Sequence, residues 1–240
     1  MNNHLMIFDE TDTNYYDETT SEVLRIAKAI PLTRSTGDES VDGRIDSAIK
    51  EGPFLDELKR QMLEAHPTWD IIISPPRASC DIMVNDIRIN LKLTDCKSSD
   101  NSVNKPSIYY SITGCKDYPY SSNWNDFNNK LKLAYETKQI KIERKRETEY
   151  HYLVKNKQTG DVLLKPIFDI HTYVSNPSND LQINWKNEFK HKDELTKNED
   201  YQKKMLSLIE CLQQSTKEMI ERTKEFAYAD FTAMFKPKSE

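Results

Sequence analysis

Residues 81–93 constrain this chain more than any other stretch: Asp81-Ile-Met-Val-Asn85-Asp86-Ile-Arg88-Ile-Asn90-Leu91-Lys92-Leu is two short apolar runs around a two-residue turn. From Ile87 to Leu93 the apolar residues take the odd positions and Arg88, Asn90 and Lys92 the even ones, which is the period of a half-buried strand. Asn85-Asp86 suits the tight turn of a β-hairpin. Such a turn opposes Val84 to Ile87, Met83 to Arg88 and Asp81 to Asn90, with cross-strand Cβ atoms about 5 Å apart. A carboxylate, an amide oxygen and an ammonium then meet at one end of the hairpin, a set able to hold a hard divalent cation beside an amine. The plainer reading is a hairpin showing a polar face to water.

At 240 residues the chain reads as a single domain overall, with an N-terminal arm and short helix (1–45) ahead of a core (46–240) that ends in a helical element. Apolar residues make up 37% and charged residues 30%, which suits a soluble protein with an open cleft or a partner surface. No run reaches the ~18 apolar residues of a membrane span, and the first ten residues lack a basic then apolar signal, so a cytoplasmic location and no membrane partner are expected. Cys80, Cys96, Cys115 and Cys211 have no C-x-x-C spacing, so reduced thiols are expected rather than zinc or disulfides. The net charge of −5 argues weakly against nucleic acid, yet Lys130, Lys132, Lys138, Lys141, Arg144, Lys145 and Arg146 form a basic stretch that suits either a solvated helix face or phosphate contacts.

Along the chain, Asp9 to Glu18 reads as a loose acidic arm, Ser21 to Ile30 as a helix stopped by Pro31, and Thr33 to Gly43 as a loop. Asp46 to Ala65 has helical spacing through Ile49, Phe54, Leu58, Met62 and Leu63, with Pro53 near the start of the main helix. Trp69 to Ser74 is a short strand. Lys97 to Lys105 reads as a polar loop, and Ile108 to Cys115 fits either a strand or a short helix. Asn123 to Lys138 is helical, with Asn123 as a cap and Phe127, Leu131, Leu133 and Ala134 inward. Tyr150 to Val154 and Val162 to Ile170 form strands joined at Thr159-Gly160. Leu181 to Phe189 carries Asn184-Trp185 at its centre. The segment 200–235 has a stripe of Met205, Leu208, Leu212, Met219, Phe226 and Phe231, suited to intramolecular packing or to a dimer.

Taken in order, these elements resemble the PD-(D/E)xK nucleases, and among them the blunt-cutting Type II restriction endonucleases. Glu51-Gly-Pro-Phe-Leu-Asp-Glu-Leu is similar to the family's early E-P-F-E helix start. Asp81-Ile-Met-Val and Asn90-Leu-Lys92 stand where it has D-I-L-L and D-V-K. Pro106-Ser-Ile resembles its P-N-I, and Asn179-Asp-Leu-Gln-Ile-Asn184-Trp185 its S-E-L-Y-I-N-W. One departure touches the chemistry, because the family's second acidic ligand is here Asn90, whose amide oxygen coordinates without contributing charge. Asp95 or Glu51 is a candidate to compensate.

The resemblance implies an α/β (α+β) fold: a central mixed β-sheet flanked by helices, restriction-endonuclease-like, with a long C-terminal helix. It implies a Mg²⁺-dependent deoxyribonuclease of a bacterial restriction-modification system, cutting double-stranded DNA at a palindromic, AT-rich site to blunt 5′-phosphate ends. The alternative is a DNA-binding protein of the same fold with an inactive metal site. Asp81, Asn90 and the Leu91 carbonyl would hold the metal, Mn²⁺ substituting and Ca²⁺ binding without cleavage, while Lys92 positions the attacking water. Glu51 or Glu57 is a second-metal or supporting candidate. DNA contacts fall to Lys97, Ser98, Ser99, Asn101, Asn104, Lys105 and Asn184, Asn184 because asparagine pairs with adenine and Asn101 because the family inserts a side chain near there. A homodimer would read the two half-sites.

Overall fold

The computed structural model describes residues 10–32, 43–75, 78–97, 99–116, 124–178 and 181–227, the side chains of 10–15, 43–48, 101, 102, 124 and 225–227 aside. The chain is mixed α/β, with a central mixed sheet between helices and a long C-terminal helix, as its sequence pattern leads one to expect. Its elements in order are α1 (Glu10–Ala29), α2 (Gly43–Ala65), β1 (Ile71–Ile73), β2 (Ile82–Val84), β3 (Ile87–Thr94), β4 (Asp100–Val103), α3 (Lys105–Thr113) and α4 (Trp124–Glu136). Then come β5 (Tyr150–Asn156), β6 (Val162–Pro166), β7 (Tyr173–Ser175), β8 (Leu181–Ile183), α5 (Trp185–Glu188) and α6 (Tyr201–Ala227).

The main sheet runs β1-β2-β3-β5-β6, and β4-β8-β7 form a second, smaller one. The hairpin has the register its sequence dictates, Val84 opposite Ile87, Met83 opposite Arg88 and Ile82 opposite Ile89. Asn85 and Asp86 both take left-handed φ, 48° and 68°, the conformation that lets a two-residue turn follow the twist of the strands.

β3 departs from the half-buried strand its alternation suggests. It lies in the middle of the sheet, antiparallel to β2 and parallel to β5 along Arg88 to Thr94, so both of its faces are covered. Ile87, Ile89, Leu91 and Leu93 pack with Leu153 of β5 against Val23, Ile26, Leu58 and Met62 of α1 and α2. On the opposite face Tyr150, Tyr152 and Val154 of β5 pack with Ile108, Phe127, Trp185 and Leu208. Asn90 is 9% exposed and Arg88 lies 4.4 Å from the centre of the Tyr110 ring, so the polar face of the hairpin meets protein. Alternation reports side-chain chemistry and does not reveal what covers each face.

The acidic start of the chain is helical from Glu10, not a loose arm, because Tyr16, Thr19, Val23, Ile26 and Ala27 recur at three- and four-residue steps and are all buried. Two polar links hold α1 to β5. The Tyr16 hydroxyl donates to His151 Nε2 at 2.7 Å, and the other ring nitrogen faces the Glu149 carbonyl at 3.0 Å and therefore carries the proton. Burial holds this imidazole neutral, its pKa lowered to about 3. Lys155 reaches the end of α1 and donates to the carbonyls of Ala27 at 2.8 Å and Ile30 at 2.6 Å, groups no intrahelical N–H can satisfy.

Other expectations shift. Pro53 sits inside α2 rather than near its start, and Ile49 is 67% exposed. Leu133 faces outward on α4, while Phe127 and Ala134 are buried. The polar stretch after Lys97 contains a strand, β4, paired with β8, and Ile108 to Thr113 resolves as helix. β6 ends at Pro166, because a backbone lacking an N–H cannot continue the ladder, and gives way to a turn of 3-10 helix. Two members of the basic stretch turn their side chains inward: that of Arg144 is 1% exposed between two acids, and half-buried Lys141 donates to Thr148. The loop over Thr33 to Gly43 lies outside the described residues up to 42, as do the Asn123 cap and the segment beyond Ala227 with Phe231. All four cysteines are free thiols. Among the described residues no helix is long and apolar enough to cross a membrane.

Candidate active site

β2 is three residues long and β3 eight, so β3 runs on past its antiparallel neighbour and exposes backbone groups on that side. Asp81 stands where β2 begins. Its own N–H donates to the Ile89 carbonyl at 3.0 Å, closing the ladder, and its Oδ2 accepts from the Leu91 N–H at 2.7 Å, replacing the strand that is no longer there. The next N–H on the same side, that of Leu93, serves the carboxyl of Glu51 from α2. Alternate residues of a strand lie about 7 Å apart and direct N–H and C=O to the same side, so the Leu91 carbonyl faces the gap between the two carboxylates. The short partner strand thus turns β3's loose edge into a cradle of oxygens.

The charges in this cradle act on one another. Burial raises the pKa of Asp81, opposed by the Leu91 N–H and then by Lys92. Glu51 is raised by burial, lowered by Lys92, raised by Asp81 and lowered by the Leu93 N–H and by Lys157. Lys92 therefore lies within reach of both carboxyls, on the even face of β3 with Asn90. Asn90 pairs with Tyr152 across the parallel ladder, and its amide lies beside the Tyr150 ring oxygen. Its Oδ1 is buried and has no hydrogen-bond partner among the described residues. A buried amide oxygen left without a donor costs about 1–3 kcal/mol, and a cation is one group able to satisfy it.

The donor set is hard oxygen, as Mg²⁺ requires, with two carboxylates, one carbonyl and one amide. It is sparing in charge: among the described residues no group of three or more His, Cys, Asp or Glu side chains is placed to hold a metal ion. Two acids with Lys92 between them make a weak site. Because both carboxyls are raised, they must lose protons before binding, so affinity is present above the raised values and falls as pH drops through them. Mg²⁺ is accordingly expected to raise the Tm at neutral pH and to lose that effect on acidification, a dependence readable by differential scanning fluorimetry in Mg²⁺ and in chelator. A Mg²⁺ shift independent of pH would place the ion elsewhere.

Two residues not anticipated from the sequence, Ser79 and Lys157, belong to the site. Ser79, two positions before Asp81, is held by three elements: the Tyr150 hydroxyl and Asn104 Nδ2 donate to its carbonyl, the latter at 3.5 Å, and Arg88 Nη1 donates to its hydroxyl at 3.4 Å. These fix the approach of Asp81. Lys157, in the turn after β5 and 3.7 Å from Asp95, acts on Glu51. No local pattern marks their roles, since Ser79 is held by Tyr150 and Asn104 from distant parts of the chain and Lys157 is brought to Glu51 by β5.

The candidate DNA-contacting residues divide. Asn104 caps α3: its Oδ1 accepts from the Ser107 N–H at 2.9 Å and the Ser107 hydroxyl returns to the Asn104 backbone, a reciprocal capping box. Lys105 opens that helix. Asn184 caps α5 by accepting from the Asn187 N–H at 3.1 Å, which leaves its amide nitrogen for other partners. Lys97 is exposed after β3, Ser99 precedes β4 and Asn101 lies in β4, while Ser98 is outside the described residues. Asp95 is near Lys157 and Gln158, and Glu57 pairs with Arg60 on the outer face of α2, its pKa lowered to about 2, away from the cradle. No protein-family model matches this sequence, and no curated protein does.

Proposed function

We propose that this chain is a Mg²⁺-dependent nuclease that hydrolyses phosphodiester bonds of double-stranded DNA, acting as a homodimer at a palindromic, AT-rich site to leave blunt 5′-phosphate ends. The observation that carries the reading is that Asp81 and Glu51 take the successive Leu91 and Leu93 N–H groups where β3 outruns β2, with Lys92 acting on both carboxyls and the buried Asn90 oxygen on the same face of β3 as Lys92. The ion, when bound, supplies a low-pKa water and positive charge beside the phosphate. Asp81 and Glu51 hold the acidic side of that centre, and the Leu91 carbonyl fixes its place along β3. Lys92 orients the attacking water and faces the charge that grows on the phosphoryl oxygens. Ser79, through Tyr150, Asn104 and Arg88, keeps the Asp81 carboxylate from drifting.

Incubation with supercoiled plasmid and Mg²⁺ tests this. Linear product or discrete fragments, absent in chelator, are expected. A second reading is favoured by one residue, Asn90, which subtracts a charge from the metal site: a DNA-binding protein of nuclease fold that does not cut. Retention of plasmid with no cleavage in either Mg²⁺ or Mn²⁺ would select it.

A further inference from the structure

Between the segment that follows β6, β7 and the start of α6, the chain forms a half-open cavity of about 630 Å³ that the nuclease reading does not use. That volume is of the size that holds a small ligand. Its floor is apolar, from Phe168, Ile170, Tyr173 and Leu195, and its rim is cationic, from Lys197, Lys203 and Lys204. Asp200 lines the same rim, and Lys197 is paired with Glu199 at 3.7 Å, which leaves Lys203 and Lys204 as the cations open to a ligand.

Glu188 and Asp169, the buried acids whose charge reaches Lys204, make their short contacts to other groups. Asp169 is taken by Arg144 at 2.8 Å and by the Thr196 N–H at 2.8 Å. Glu188 is taken by Lys165, by the N–H groups of His171 and Thr172, and by the Thr172 hydroxyl at 2.6 Å. Among the described residues no carboxylate lies within ion-pair distance of Lys203 or Lys204. Lys204, half-buried, instead donates to Nδ1 of His171 at 3.1 Å, and the imidazole is held neutral by burial and by that neighbouring charge. An ammonium partly withdrawn from water, with a neutral ring as its partner, is a group awaiting an anion.

We propose that this cavity binds a small phosphorylated ligand with a flat apolar body, of the nucleoside monophosphate class, its phosphate on Lys203 and Lys204 and its ring against Tyr173 and Leu195. Two ammonium groups match the dianionic charge of a phosphate monoester, and the partly exposed Tyr173 ring with the exposed Leu195 side chain gives the ring an apolar surface. The site shares no lining residue with Asp81, Asn90 or Lys92, so it stands whether or not the chain cuts DNA.

Isothermal titration of the full chain with adenosine monophosphate tests it, with inorganic phosphate and a duplex carrying 5′-hydroxyl ends as competitors. Saturable binding is expected, weakened about tenfold or more in the Lys203→Ala/Lys204→Ala variant and tightened in Asp200→Asn. Inorganic phosphate should compete more weakly than the nucleotide, because it lacks the ring. No binding of adenosine monophosphate, equal binding by the double variant, or displacement by the 5′-hydroxyl duplex as effective as by free nucleotide would overturn the proposal; the last would assign the lysines to the nucleic-acid backbone. All three surface positions are open to substitution, and unchanged circular dichroism of each variant confirms that a lost signal is a lost contact.

Discussion

Replacing Arg144 by methionine is expected to lower the unfolding free energy by about 3–5 kcal/mol, the cost of breaking a buried ion pair from one side. Arg144 is 1% exposed and both of its acid partners are fully buried. Its Nε donates to Glu149 Oε1 at 2.7 Å, Nη2 to Asp169 Oδ1 at 2.8 Å and Nη1 to the Thr196 carbonyl at 2.6 Å, so one guanidinium ties the start of β5, the turn after β6 and the approach to α6. Methionine fills much of the volume and leaves two carboxylates out of water without the cation that pairs them, Lys141 acting on Glu149 alone. Burial already raises Glu149, and without Arg144 nothing of comparable strength opposes it, so the acid takes up a proton instead. Urea denaturation measures the loss. Adding Glu149→Gln and Asp169→Asn to the same chain should recover part of it, because two neutral amides are less costly to bury than two anions. A single-variant loss under about 1 kcal/mol would mean that water reaches this cluster.

Lys92→Ala is expected to cut single-turnover plasmid cleavage by about 10²–10³-fold, the range for losing one aligned donor to a developing anion. DNA retention should change little, since one phosphate contact among several carries only a share of the affinity. The companion substitution runs the other way. Asn90→Asp places a third acid at the cradle, and both Mg²⁺ affinity and cleavage rate are expected to rise. Cleavage rates at matched Mg²⁺, with DNA retention in Ca²⁺ as the control, separate binding from chemistry. Cleavage undiminished in Lys92→Ala would remove the proposed role of this lysine.

The hairpin was legible from residues 81–93 because its determinants are local. The Asn85-Asp86 turn fixes the register, and the register places Asp81 opposite Asn90. Glu51 was within view as one of two acids on an early helix. Choosing it over Glu57 took the structure, in which Glu51 reaches the Leu93 N–H while Glu57 turns out to Arg60. Asn104, in a polar loop, and Asn184, at the centre of its segment, read from sequence as DNA contacts; in the fold both side-chain oxygens accept from helix N–H groups, a role that depends on where each helix begins. The acidic start of the chain misled because Asp and Glu on the outward face of α1 conceal a buried stripe.

By itself, then, the sequence determined the turns, the periods and the local register of each element, because these depend on residues a few positions apart and on backbone preferences. The tertiary structure alone decided which faces are covered, which acids share a charge and where β3 loses its neighbour. It placed α3 over the Arg88 face of β3, brought α2 to the open edge beside Asp81, and packed β7 and the start of α6 around the half-open cavity. Such contacts join residues tens of positions apart and are fixed by packing over the whole core, so no window of sequence contains them.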